Sequence, residues 1–242
     1  MQENNLGNQE LNNATKSQTP IVGAIILAGV LIAGAILLRG SSTPTQQNPN
    51  PNNGIPPTGA FPAPVGAGDK VIGNPNAKVT LILYEDFQCP FCGKLFKESE
   101  ENIRATYVKN GDVKFVYRDF AFLGPESVRS AEAARCAGDQ NQFWQYHDYL
   151  YGHQNGENQG AFSDPNLKSF AKTLGLDTVA FNTCLDQNKY GQAVANSKNE
   201  GASAGVTGTP KGFILKSGKI VSTIDGAEPF AMVKQKLDAA LK

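Results

Sequence analysis

Residues 85–92 read Glu85-Asp86-Phe87-Gln88-Cys89-Pro90-Phe91-Cys92, and the fold is decided by what flanks them. Before them, VTLILY at 79–84 is an apolar, β-branched run and predicts a buried strand. After them, Leu95, Phe96, Ile103 and Tyr107 recur at helical spacing among Glu and Lys. Cys89 is therefore expected where a strand hands over to a helix. Unpaired N–H groups at a helix N-terminus carry partial positive charge. A thiolate is stabilised there, and thiolate is the reactive form of cysteine. Cys92 lies one turn further in, within reach for a small disulfide ring. Pro90 suits the first helical turn, where its missing N–H leaves nothing unsatisfied. A Cys-x-x-Cys is also half of a zinc site, or an inert structural pair. The redox dithiol is favoured because the chain has no second Cys-x-x-Cys, and its two histidines, His147 and His153, sit together in another segment.

The chain has 242 residues, 40% of them hydrophobic, which suffices for one good-sized core plus appendages. Its formal net charge of zero argues against a nucleic-acid or acidic partner. All four cysteines follow residue 88, an even count that fits an oxidising compartment.

Working outward on the N-terminal side, residues 40–68 hold seven of the fourteen prolines and read as an extended, flexible tether. Residues 21–38, IVGAIILAGVLIAGAILL, carry no charge. A helix of that length rises about 27 Å, close to the thickness of a bilayer's hydrocarbon core. A cleavable signal peptide fits less well, since only Lys16 precedes the stretch and Leu38-Arg39-Gly40 follows it. The expectation is an uncleaved transmembrane signal anchor over 20–39. The Asn- and Gln-rich residues 1–19 before it are expected to be a disordered tail. Lys16 and Arg39 balance, so orientation rests on chemistry. Cysteines on the oxidising side put the N-terminus in the cytoplasm and the bulk of the chain outside, as a single-pass protein of the cell membrane.

On the C-terminal side, VKFVYR at 113–118 is a second strand, so strand, helix and strand make a right-handed parallel unit. A long helical section follows, with an aromatic helix holding Phe143, Trp144, Tyr146, Tyr149, Leu150 and Tyr151 that is read as core. GVTGTP at 205–210 ends it. Two strands joined by Ser217-Gly218 form a hairpin, and Pro229 opens a last helix. The predicted order is β-α-β, four or five helices, then β-β-α, in an α/β domain over 69–242 with a helical insert at about 120–204.

The strand leading into DFQCPFC, the helical insert, and GVTGTP before a hairpin and terminal helix together resemble the DsbA-like branch of the thioredoxin superfamily, from about Lys70 onward. The resemblance implies a thioredoxin-like fold and a thiol:disulfide oxidoreductase of exported proteins. Cys89 would be the exposed attacking thiol and Cys92 the resolving one, with the dipeptide Pro90-Phe91 tuning their potential. Thr209-Pro210 would be a cis peptide beside them, offering the Thr209 backbone to an extended substrate strand. Related proteins often carry a disulfide across the insert, which here pairs Cys136 with Cys184; two buried thiols or a second redox pair are the alternatives. Substrates would be thiols of exported proteins, and a membrane quinone-linked thiol oxidase would restore the disulfide. No organic cofactor, metal or nucleic acid is implied, and the catalytic domain is expected to be a monomer.

This chain departs from the family pattern in two places. Thioredoxin-like reductases usually carry a buried acid six residues before the first cysteine, and Leu83 stands there. Strand alternation puts Leu83 and Glu85 on one face and Asp86 on the other. The missing acid argues against a fast reductase. The family's usual task makes an oxidase the expectation; an isomerase or reductase is the alternative, and a tethered, non-enzymatic binding module a further one. Second, Lys211 follows Pro210 and is either a solvated side chain or a cation holding a thiolate.

Overall fold

A computed structural model describes residues 61–242. The tail, the transmembrane span and most of the tether expected from the sequence lie outside the described residues. Among those described, no helix is long and apolar enough to cross a membrane.

Five strands form one mixed sheet, in the order β1-β3-β2-β4-β5. The central β2, Val79–Glu85, runs parallel to β3, Val113–Asp119, and antiparallel to β4, Lys211–Lys216. β4 turns through Ser217 and Gly218, both at positive φ, into β5, Lys219–Asp225. Such residues match the twist of the flanking strands, as the hairpin signal anticipates. The short edge strand β1, Lys70–Ile72, pairs antiparallel with β3 and was not foreseen. Three residues beside Gly73 are too few to show an alternation.

Strand alternation sorts the core. Val79, Leu81 and Leu83 face one side of the sheet, with Leu95, Ile103, Val233 and Leu237 from the two helices that cover it. One is α1, which starts at Pro90–Leu95 and continues through Glu101–Ile103 with π-helical turns at Phe96–Glu100 and Arg104–Val108. The other is the C-terminal helix Phe230–Leu241. Ile82, Tyr84, Val116 and Phe213 face the opposite side.

Between β3 and β4 lie five helices: α2 (Pro125–Gly138), α3 (Phe143–Gly152), α4 (Asp164–Thr173), α5 (Thr178–Asp186) and α6 (Gly191–Ser203). The C-terminal helix is therefore α7. Phe143, Tyr146, Leu150, Tyr151, Phe162 and Phe181 of this insert form a third cluster together with Phe87, Cys89, Cys92, Phe96 and Tyr117. Phe143, Tyr146, Leu150 and Tyr151 of the aromatic helix are core, as its composition indicates; Trp144 packs against them half-buried, and Tyr149, also half-buried, stacks on His153 outside the core.

The domain begins earlier than residue 69. Arg118 donates to the carbonyls of Ala63 and Pro64, Ala63 N–H donates to Glu200, and Val65 packs against the sheet. Prolines without partners in sequence read as tether; here two carbonyls satisfy a buried guanidinium.

Candidate active site

Chain direction out of β2 brings Cys89 to the helix start. Residue 89 has extended backbone (φ −68°, ψ 120°) and is the N-cap of α1, with Pro90 in the first turn. Its carbonyl accepts from Gly93 N–H at 3.1 Å. Cys89 and Cys92 are free thiols, and both are buried. Cys92 is 0% exposed and Cys89 only 5%, so Cys89 is less open than the resemblance implies for an attacking thiol. Phe91, at 61%, is the exposed member of the turn.

The two thiols are electrostatically unlike. Cys89 is pulled down to about 6, chiefly because its thiolate accepts a hydrogen bond from the Cys92 thiol. The Thr209 hydroxyl and the backbone N–H groups of Cys92 and Phe91 add to this against the opposing effect of burial. The helix-start amides identified from sequence thus contribute, but the neighbouring thiol contributes more. As a thiol, Cys89 instead donates to the Thr209 carbonyl at 3.4 Å. Burial, then the hydrogen bond given to Cys89 and the charge of Glu85, hold Cys92 well above the usual thiol range.

Thr209-Pro210 is a cis peptide. Beside it Gly205, Thr207, Gly208 and Asp225 help line a hollow of about 250 Å³. Lys211 pairs with Asp225 and is not among the leading influences on Cys89, which favours a solvated, ion-paired side chain.

Several supporting residues were not identified from sequence. Asp86 is 1% exposed and organises the loop. Its Oδ1 accepts from Gln88 N–H at 2.9 Å and Ser127 Oγ at 2.6 Å, and its Oδ2 from Phe122 N–H and Leu123 N–H at 2.9 and 3.2 Å. An Asp two residues before an N–H it accepts from is a local turn signal that the sequence does display. Gln154 donates to the carbonyls of Phe87 and Cys89 at 2.7 and 3.0 Å. A Cβ on Gly93 would lie 2.0 Å from Gln154 Oε1, so only glycine leaves room for this clamp. Gln154 lies 65 residues from Cys89, and no local pattern announces it.

The acid thought missing is present. Alternation does put Glu85 on the inward face with Leu83, and Glu85 is 0% exposed. Its pKa is raised, first by burial and then by the nearby charges of Glu100 and Cys89. A buried acid has moved one pleat closer to the cysteines.

Cys136 of α2 and Cys184 of α5 are joined in a disulfide.

Comparison with known proteins agrees with this geometry. The thioredoxin family model matches residues 67–235. A sodium/proton antiporter NhaA 1 from Salinispora arenicola is 32% identical over 148 residues, which cover 60% of this chain but 21% of that one. This chain thus spans about a fifth of that relative's length. A putative protein-disulfide oxidoreductase from Rickettsia felis is 26% identical over 81% of this chain and 70% of its own. The crystal structure of oxidised BdbD from Bacillus subtilis superposes with a TM-score of 0.65 at 21% identity, covering 72% of this chain and 93% of that one. The chain belongs to the thioredoxin family, with the fold of its DsbA-type oxidoreductases.

Proposed function

We propose that this chain is a membrane-anchored thiol:disulfide oxidoreductase acting outside the cytoplasm, and that it forms disulfides in exported proteins. The inequality of the two thiols carries this reading: Cys89 is acidic, to about 6, while Cys92 is held high. A substrate thiolate attacks Cys89 of the Cys89–Cys92 disulfide, and Cys92 leaves and takes up a proton. A second substrate thiolate attacks the substrate sulfur of the mixed disulfide, and Cys89 leaves as a thiolate. A leaving thiol of low pKa leaves faster, and its stabilised reduced form makes the pair oxidising. The cis Thr209-Pro210 turn beside Cys89 offers an extended chain a backbone edge. The uncharged stretch at 21–38 is the anchor, and a quinone-linked membrane partner reoxidises the dithiol.

The buried Glu85 supports a second reading, a reductase or isomerase. It removes the objection that no proton acceptor lies behind the cysteines. A redox titration of the full chain separates the two. A potential near −120 mV supports the oxidase, and one near −270 mV supports the reductase. Cys89→Ala should abolish oxidation of a reduced substrate protein; activity surviving in that variant refutes thiol exchange at this site.

A further inference from the structure

Behind the dithiol lie three buried side chains that thiol exchange does not require as a set. Glu85 ends β2, Glu100 lies in the first π turn of α1, and His147 lies in α3; each is 0% exposed. One donor atom from each falls within 4.8 Å of the other two. Among the described residues, neither carboxylate has a hydrogen-bond partner on either oxygen, and His147 Nε2 has none. Nε2 stands 3.8 Å from Glu100 Oε1, too far for a hydrogen bond. Donors around a tetrahedral zinc, with bonds of about 2.0–2.2 Å, stand roughly 3.4 Å apart. Small side-chain rotations separate the observed spacing from that one.

Two further features point to a cation. His147 Nδ1 lies 2.8 Å from Asp148 Oδ1, which Arg104 also holds at 2.8 Å. A carboxylate on Nδ1 turns the Nε2 lone pair toward the two glutamates, as a carboxylate does behind metal-bound histidines. Glu85, Glu100 and Asp148, when ionised, outnumber the single cation Arg104 by two charges, which one divalent ion cancels. Rings of Phe87, Phe96, Tyr117 and Tyr151 pack around the imidazole, and the buried hydroxyls of Tyr117 and Tyr151 have no hydrogen-bond partner among the described residues either.

We propose that Glu85, Glu100 and His147 bind one divalent first-row cation, zinc being the expected occupant. Two carboxylates and an imidazole suit zinc and leave a fourth coordination position. The site is sealed, so the ion enters as the chain folds, and loading is linked to folding.

The test uses the full chain in detergent with Cys89–Cys92 oxidised, so that no thiolate of the pair can ligate and the outcome is independent of thiol exchange. The chain is unfolded with chelator and refolded with Zn²⁺ or Co²⁺. We expect one Zn²⁺ retained per chain after desalting, and Co²⁺ absorption in the d–d region without a thiolate charge-transfer band. Glu100→Gln and His147→Gln should weaken binding at least about 100-fold, and Asp148→Asn about 10- to 100-fold. Glu101→Gln, on the exposed neighbour, should change nothing. No retained Zn²⁺, or binding undiminished in Glu100→Gln, overturns the site. Should those variants fail to fold, zinc-edge X-ray absorption of the loaded wild type decides. A shell of oxygen and nitrogen containing one imidazole supports the site. A sulfur ligand or an all-water shell overturns it, and protons then neutralise the carboxylates.

Discussion

Cys89 has a measurable consequence of its own. Its folded pKa, about 6, lies below the ordinary thiol value of 9.0. A lowered acid pKa stabilises the folded dithiol fully above the unfolded value and not at all once pH falls below the folded one. The reduced protein should therefore gain stability relative to the disulfide form between about pH 6 and 9. Thiolate absorbance at acid pH should place the midpoint near 6, with Cys89→Ala removing it; a midpoint near 9 would contradict the hydrogen bonding of Cys89 by Cys92 and the helix-start amides. Glu85 behaves with the opposite sign. Burial raises it well above 4.5, so its contribution is intact below that value and is lost as pH climbs toward the folded pKa. With chelator present, Glu85→Gln should raise stability at pH 7 by roughly 1–3 kcal/mol, because a neutral amide replaces a carboxylate without a partner. Denaturant melts at two pH values check both sign and slope. At this scale the sequence was legible where chemistry is local. Cys89, Cys92 and Pro90 announce themselves by spacing, and Thr209-Pro210 by the resemblance. Glu85 was placed on the correct face by alternation, yet its burial depends on α1 and α3 closing over it, which no alternation reports.

Among the elements, β2, α1, β3, the β4–β5 hairpin and α7 were visible in the sequence because each shows a clean period or a turn signal. The edge strand β1 was not, because it exists only through pairing with β3. Nor were the π turns of α1, although they place the polar Ser99 and Glu100 at buried positions within a helix whose other inward residues are apolar. The insert's helices were legible one by one, but their mutual packing was not, and the disulfide bears directly on that packing. Cys136 and Cys184 tie α2 to α5 across 48 residues of sequence. Closing a loop of that length in the unfolded chain is worth about 4 kcal/mol in the chain-entropy account. Replacing both cysteines with alanine should lower stability by up to about that amount in urea titrations. Oxidation of substrate by the folded variant should remain, since the dithiol lies on α1. Loss of activity in a variant that retains its near-ultraviolet circular dichroism would mean that the second pair takes part in thiol exchange.

For the whole molecule, chemistry and placement constrain each other. An acidic Cys89 over a high-pKa Cys92 suits a protein that gives up its disulfide readily, and such a protein is useful only where disulfides persist. Residues 61–68, expected to be free tether, instead include the Ala63 and Pro64 carbonyls that Arg118 holds against the domain. The sequence showed the proline-rich composition but not this junction, since satisfying a buried guanidinium is a tertiary event. If 21–38 anchors the chain with its cysteines outside, two measurements on the full protein must agree. Alkaline carbonate extraction should leave the chain in the membrane pellet. Protease added to intact cells without their outer barrier should remove the domain while sparing the N-terminal tail. A peripheral association held by charge would release into the carbonate supernatant, and the zero net charge gives such an association little to act through. Release there would remove the anchor but leave the oxidase reading standing, whereas protection of the domain from the outer protease would place the dithiol where reductants hold it open, and the oxidase reading would fall.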